Sequence, residues 1–365
     1  MNIDIKTEYS IVVDFILSIA RIKTKEIGFG FFSREQEMLE RFKPDENLNK
    51  IIRKIEKDIP EEYSDLLTKY FSPGIVVFKV FIYLARKEKI KDVNEFISYL
   101  ENMDKKAIAA IHLYLFSSVK KNKIDMIPLE KAFEKMEDIQ NLLNLFKNTP
   151  LSGENKWNII EFYQNPDKVI NDIIVFFKWY NEKLFFQFSK KIDRIATKYS
   201  LELEKKVSNY GAEYIENLLN IDYSKYDQTK NIRVTISFFS EIGYIFFIMG
   251  EDEDFYVLGY RHMEVYAERK HDFLSIIHLF KTLGDETRLN IIKKLASEEM
   301  YGDELAKALN LSNSTISYHI NMLIMEGIVK LNRVEKKSYL ALNKDRLIKL
   351  LDESYNIMTG GVNEK

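Results

Sequence analysis

Between Ser312 and Leu323 the chain reads Ser-Asn-Ser-Thr-Ile-Ser-Tyr-His-Ile-Asn-Met-Leu, a run of small hydrogen-bonding groups at helical spacing. Ile316, Ile320 and Leu323 share one face at roughly 100° per residue, which predicts the buried side of a helix. Ser314, Ser317, Tyr318, Asn321 and Met322 point away from it. None carries a charge that would repel a phosphate, and Ser, Asn and Tyr can meet base edges or phosphate oxygens in a major groove. Ser312, Asn313 and Thr315 fall at the helix start, where free N–H groups favour an anion. His319 flanks this surface in a phosphate or packing role. Downstream, Lys330, Arg333, Lys336 and Lys337 against Glu335 suit a neighbouring phosphate backbone. Taken singly, the first stretch is a polar helix and the second a solvated hairpin tip. Their order and spacing together favour nucleic acid.

Other chemistries find little support. The chain has no cysteine, which excludes disulfides, thiol catalysis, thiolate metal sites and thiol redox sensing. The five histidines are His112, His262, His271, His278 and His319. His271 and His278 lie two helical turns apart, too far to chelate one metal unaided. No phosphate-cradling glycine loop or nucleophile elbow occurs. Glu251-Asp-Glu-Asp254 lacks the spacing of a calcium loop and reads as a solvated turn. The expectation is a non-enzyme without cofactor or metal. A net charge of −2 requires any nucleic-acid contact to rest on a local basic surface.

The elements that must hold these groups form a compact series. A helix over 272–282 carries Phe273, Ile276, Ile277 and Phe280 on one face, and Leu283-Gly284 breaks it. Asp285 is a natural cap for a second helix carrying Leu289, Ile292 and Leu295. Gly302-Asp303 opens a short third helix, Asn310-Leu311 turns the chain, and Ser312 caps the fourth, which runs to Met325. Two helices joined by so tight a turn make a helix-turn-helix. Gly327 ends the fourth helix, and 328–334 with 338–342 predict a β-hairpin around Glu335-Lys-Lys337.

Leu283-Gly-Asp-Glu-Thr-Arg-Leu-Asn-Ile-Ile292 resembles the ArsR-family phrase Leu-x-Asp-x-Thr-Arg-Leu-x-Ile-Leu. Glu304 to Ile320 resembles that family's helix-turn-helix, and Glu326-Gly-Ile-Val329 its entry to the wing. The resemblance covers about a quarter of the chain. It implies a winged helix-turn-helix over 271–358, followed by a tail at 359–365, in a bacterial repressor bound to double-stranded DNA. It also implies a homodimer joined through the domain's first and last helices, here Phe273, Ile277 and Phe280 with Leu347, Leu350 and Leu351. Such a dimer sets two recognition helices about 34–36 Å apart on a palindrome. The family's metal sensors carry cysteines or histidines where this chain has Met300 to Leu305 and a last helix without histidine.

Residues 1–270 read as a mostly helical regulatory domain with a small antiparallel sheet, its strands near 3–9, 232–239, 244–249 and 255–260. Tyr9-Ser-Ile-Val-Val-Asp-Phe15 and the β segment resemble, faintly, the extended N-terminal domain of larger ArsR-like regulators. The clearest helix follows Asn165-Pro166. Its apolar residues Ile170 to Ile195 recur at spacings of three, four or seven, giving about 50 Å if unbroken to Tyr199. The 25 Phe and 21 Tyr fill a large helical core more readily than they line a pocket. The N-terminus lacks the cationic start of a signal peptide and no apolar run spans a bilayer, so a soluble cytoplasmic protein without a membrane partner is expected. The first 270 residues then sense a small-molecule effector or a partner and shift the winged helices. The alternative is an enzyme or protein-docking scaffold with an accessory winged helix. A convergent polar cluster there would favour the enzyme, and an apolar pocket lined by Phe and Tyr the sensor.

Overall fold

The computed structural model describes residues 3–24, 45–72, 75, 77–118, 132–134, 136, 140, 142–143, 151–219, 221–222, 230–249, 253–264, 273–334 and 337–359. Strand β1 (Ile3–Tyr9) uses the predicted alternation and passes through Ser10 into helix α1 (Ile11–Thr24). Val12, Val13, Phe15, Ile16, Leu17, Ile19 and Ala20 of α1 are all buried. A helix apolar on every side belongs at the centre of a large core. Around it pack α2 (Glu46–Asp58), α3 (Ser64–Phe71), α4 (Phe78–Lys87) and α5 (Val93–Asn102), with α6 (Lys105–Ser118) and α7 (Gly153–Gln164) outside them.

The long helix predicted after Asn165 is present. Pro166 sits at the first turn of α8 (Pro166–Tyr180), where its missing N–H costs nothing. One π-helical turn, Asn181–Phe185, joins it to α9 (Phe186–Tyr210). The helix runs past Tyr199 and ends at Gly211, whose φ of 68° stops it. The aromatic residues pack it to α1: Phe15 lies 5.2 Å from Phe177 and 5.2 Å from Phe185, ring to edge. Helix α10 (Ala212–Leu219) then leads to β2 (Ile221–Asp222), a strand absent from the sequence reading.

Strands β3 (Lys230–Ser237), β4 (Tyr244–Ile248) and β5 (Glu253–Gly259) join β1 in the order β1-β3-β5-β4. The N-terminal strand does pair with the later segment, as anticipated. The sheet as a whole, however, is mixed rather than antiparallel: β1 with β3 and β3 with β5 run parallel, and only β4 with β5 is antiparallel. The reason lies in the connection from β3 to β5. The chain runs back along the sheet edge as β4, so that β5 slots between and must point the same way as β3. The buried Asp14 carboxylate fixes the exit of β3, accepting from Ser237 Oγ (2.5 Å) and from the amides of Phe238 and Phe239. Glu241, fully buried at φ 51°, pairs with Arg21 and Arg261 and accepts from the Asp45 amide at 2.7 Å.

The C-terminal series is α11 (Phe273–Leu283), α12 (Glu286–Ser297), α13 (Gly302–Ala308), α14 (Asn313–Met325), β6 (Val329–Val334), β7 (Lys337–Leu342) and α15 (Lys344–Met358). The helices and strands up to β7 lie within a residue or two of their expected positions, and α15 begins three residues before the Leu347 expected. The class is therefore mainly α with small sheets, including the antiparallel β6–β7 pair. Among the described residues, buried side chains form two clusters, one running from Val12 to Met263 and the other from Leu279 to Leu350. The join at 265–272, with His271, the turn at 250–252 and the tail beyond Thr359 lie outside the described residues. Among the described residues no helix is long and apolar enough to cross a membrane, and no group of carboxylates and imidazoles could hold a metal ion.

Candidate nucleic-acid interface

The presentation of α14 is set by local bonds. Asp285 caps α12 by accepting from the Arg288 amide at 2.9 Å. In α13 the Glu304 carboxylate reaches back to accept from the Tyr301 amide at 3.0 Å, while Leu305 and Ala306 point into the core. The turn takes three residues, with Asn310 at φ 55°, a left-handed position that Asn tolerates. Ser312 then caps α14, its Oγ accepting from the Thr315 amide at 3.1 Å and lying 2.7 Å from Thr315 Oγ1. Gly327, at φ 72°, closes the other end, with its amide bonded to Ile324 O and that of Ile328 to Leu323 O. This reversal sends the chain straight into β6.

Ile316, Ile320 and Leu323 are buried as expected. Asn313, Ser317 and Tyr318 are exposed, and Thr315 and Asn321 half-buried. The side chains of Ser314, Arg333 and Lys337, and the whole of Lys336, lie outside the described residues. Two positions depart from the expectation. Met322 is buried, because α14 packs against α12, α13 and β6 together and so has little more than a stripe left over. His319 is also drawn inward, 9% exposed, its Nδ1 3.4 Å from Asp285 Oδ1. Burial lowers its pKa and Arg288 adds to that, while Asp285 pulls the other way. The ring is therefore a packing group, not a cation offered to phosphate. In α12, Leu289 is exposed and Ile291 takes the inward place expected of it.

Beside α14, β6 and β7 pair antiparallel from Val329↔Leu342 to Val334↔Lys337. Met300 bonds Leu340 in both directions and ties β7 to the loop before α13. The free edge of β6 is taken by β2, in parallel register Ile221↔Leu331 and Asp222↔Asn332. Elsewhere in the domain α11 packs against α15. Ile277 and Phe280 of α11 and Ile348, Leu351, Tyr355 and Met358 of α15 stay exposed there. Leu350 is buried and Leu347 partly so in the domain's own core, so neither belongs to that outer face. The Phe273 side chain lies outside the described residues.

This arrangement coincides with the stretch at which known proteins resemble the chain. Residues 285–330, from the cap of α12 into β6, match the model of the bacterial regulatory protein, arsR family. An uncharacterized HTH-type transcriptional regulator of Methanocaldococcus jannaschii is 38% identical over 79 residues, 20% of this chain and 89% of its own length. The chain belongs to the arsR family. The transcriptional repressor SdpR of Bacillus subtilis is 29% identical over 24% of this chain and 92% of its own. A transcriptional repressor SmtB homolog of Synechocystis is 31% identical over 22% of this chain, which spans 60% of that relative's length. All these matches fall in the C-terminal part, and the large N-terminal region is unmatched. No solved structure matches the chain.

Among the described residues of the large N-terminal region, an open groove of about 490 Å³ lies over the π turn, among α5, α8 and α9. Asn94 and Asn181 are bonded across it at 2.9 Å, Lys178 pairs with Glu101, and Phe186 stands at the rim. Its lining is neither a pocket of Phe and Tyr nor a convergent set of unpaired acids and bases.

Proposed function

We propose that this protein is a DNA-binding transcriptional repressor that grips operator DNA as a homodimer under the control of residues 1–270. One observation carries the reading: α14 turns an uncharged, hydrogen-bonding face (Asn313, Ser317, Tyr318, Asn321) outward beside an antiparallel wing. In a major groove such a face reads base edges, and wing cations hold the flanking phosphates. The exposed apolar face of α11 and α15 supports dimerisation, since a monomer gains nothing by leaving Ile348, Leu351 and Tyr355 in water. Two separate cores support a division near residue 270, with 271–358 as the DNA-binding unit. On this reading the first 270 residues act as a sensor of an effector or partner.

The test is binding of the purified chain to fragments of its own genomic neighbourhood, at two salt concentrations, with non-specific competitor. Tight, salt-sensitive and sequence-selective binding is expected. Retention no better than on the competitor would refute the reading.

A further inference from the structure

We infer that β2 is a mechanical link through which the large domain holds the wing, so that the state of its sheet sets how firmly the protein grips DNA; this rests on the DNA-binding reading above.

A wing hairpin of two strands has a free edge on β6, and an edge strand left open is a row of unpaired backbone groups. Here that edge is filled by Ile221 and Asp222, which come from the other domain and lie in register with Leu331 and Asn332. The same two residues lie two and three positions beyond Leu219, the end of α10, whose last turn is fastened to the N-terminal sheet by two hydrogen bonds. Tyr244 of β4 donates its hydroxyl to the Leu219 carbonyl at 2.9 Å. His262, just beyond β5, engages the Leu218 carbonyl through Nε2 at 3.1 Å, while its Nδ1 accepts from the Gly243 amide at 3.2 Å. These two contacts fix one neutral tautomer, with the proton on Nε2. Leu218 and Leu219 are themselves buried in the large core. The path therefore runs from the β4–β5 sheet, through two carbonyls, into a strand that is hydrogen-bonded to the wing. Among the described residues, every step is backbone or a buried side chain.

A wing held in place before DNA arrives binds more tightly than one that must be ordered on contact. Loosening β2 should therefore weaken binding without removing any phosphate contact from the final complex. That separates it from loss of a wing lysine, which lowers the salt dependence.

Two variants of the full chain test the link, with amide hydrogen exchange and DNA titration as readouts. Asp222→Pro removes a backbone donor and strains the strand; Tyr244→Phe deletes only a hydroxyl in the other domain. In both, the β6 amides that face away from β7 should exchange about tenfold faster or more. Affinity for the operator should fall about three- to tenfold with the salt slope unchanged. Unaltered exchange in Asp222→Pro would mean β2 does not pair with the wing, which overturns the inference. Faster exchange in Asp222→Pro but not in Tyr244→Phe would mean the strand is not fastened to the sheet, which overturns it equally. So would faster exchange in both with undiminished affinity. Failure of the unmodified protein to bind DNA is a different result: it removes the DNA-binding reading itself.

Discussion

At the scale of single residues, Tyr318 and Asn321 are the side chains whose loss should change which sequence is bound. Replacing either by Ala is expected to cost about 1–3 kcal/mol on the operator and to relax preference at one base position, measurable by competition with single-base variants. Lys337→Ala should instead weaken binding evenly across sequences and reduce the salt slope by about 1. If both kinds of variant lower affinity uniformly, the division of labour between helix and wing is wrong. A separate titration belongs to His112, buried between α6, α7 and the turn before α4. Its Nδ1 meets Tyr163 OH at 2.7 Å and its Nε2 the Ile75 carbonyl at 3.3 Å, and burial lowers its pKa to about 4. A base with a folded pKa below its unfolded value binds fewer protons when folded. Stability from this site is thus full above about 6.5 and falls as pH drops towards about 4, by about 3 kcal/mol in all. Asp14, raised to about 6 by burial, has the opposite sign and loses stability as pH rises through that value. Denaturant unfolding of His112→Gln at pH 7 and pH 4.5 isolates the histidine. The difference from the unmodified chain should shrink at the lower pH, and a constant difference would contradict the assignment.

At the scale of elements, what the sequence made legible is what local chemistry decides. Asp285, Ser312 and Gly327 cap or end their helices through bonds to residues within a few positions, and all three stand where the pattern put them. The misplaced residues are those whose surroundings come from elsewhere in the chain. Met322 looks outward and His319 sits on the flank of a wheel drawn for one packing face, and both are buried where α14 meets its neighbouring elements. The parallel pairing of the N-terminal sheet has no signature in alternation, which is the same for either direction. Two residues of β2 are too few for any period to show. Gly259, by contrast, has a reason visible only in three dimensions: a Cβ there would lie 2.5 Å from the Glu241 backbone. Backbone cannot yield as a flexible side chain can, so Gly259→Ala should destabilise the large domain by about 1–3 kcal/mol. Thermal unfolding followed by tryptophan emission would register it, and an unchanged midpoint would show that the loop at Glu241 gives way freely.

At the scale of the whole molecule, the proposed homodimer would be joined through the outer face of α11 and α15. Leu351→Glu places a charge where Ile348, Tyr355 and Phe280 leave apolar surface, and sedimentation should then report a monomer with operator affinity reduced by about tenfold or more. Leu350→Glu, one residue away but inside the core, should unfold the winged helix instead. A dimer that survives Leu351→Glu would move the interface elsewhere.

The closure of the N-terminal sheet has a consequence for how the chain reaches its fold. Arg233 on β3 bonds the Asp4 carbonyl of β1, 229 residues earlier. During synthesis β1 therefore emerges well before β3 and waits, without that partner, while the described helices between them are made. Contacts so distant in sequence close late and slowly. The winged helix, whose contacts are mostly local, can fold on its own timescale as soon as it leaves the ribosome. A chain interrupted before residue 230 would leave β1 without its partner strand, open to pairing with another nascent copy.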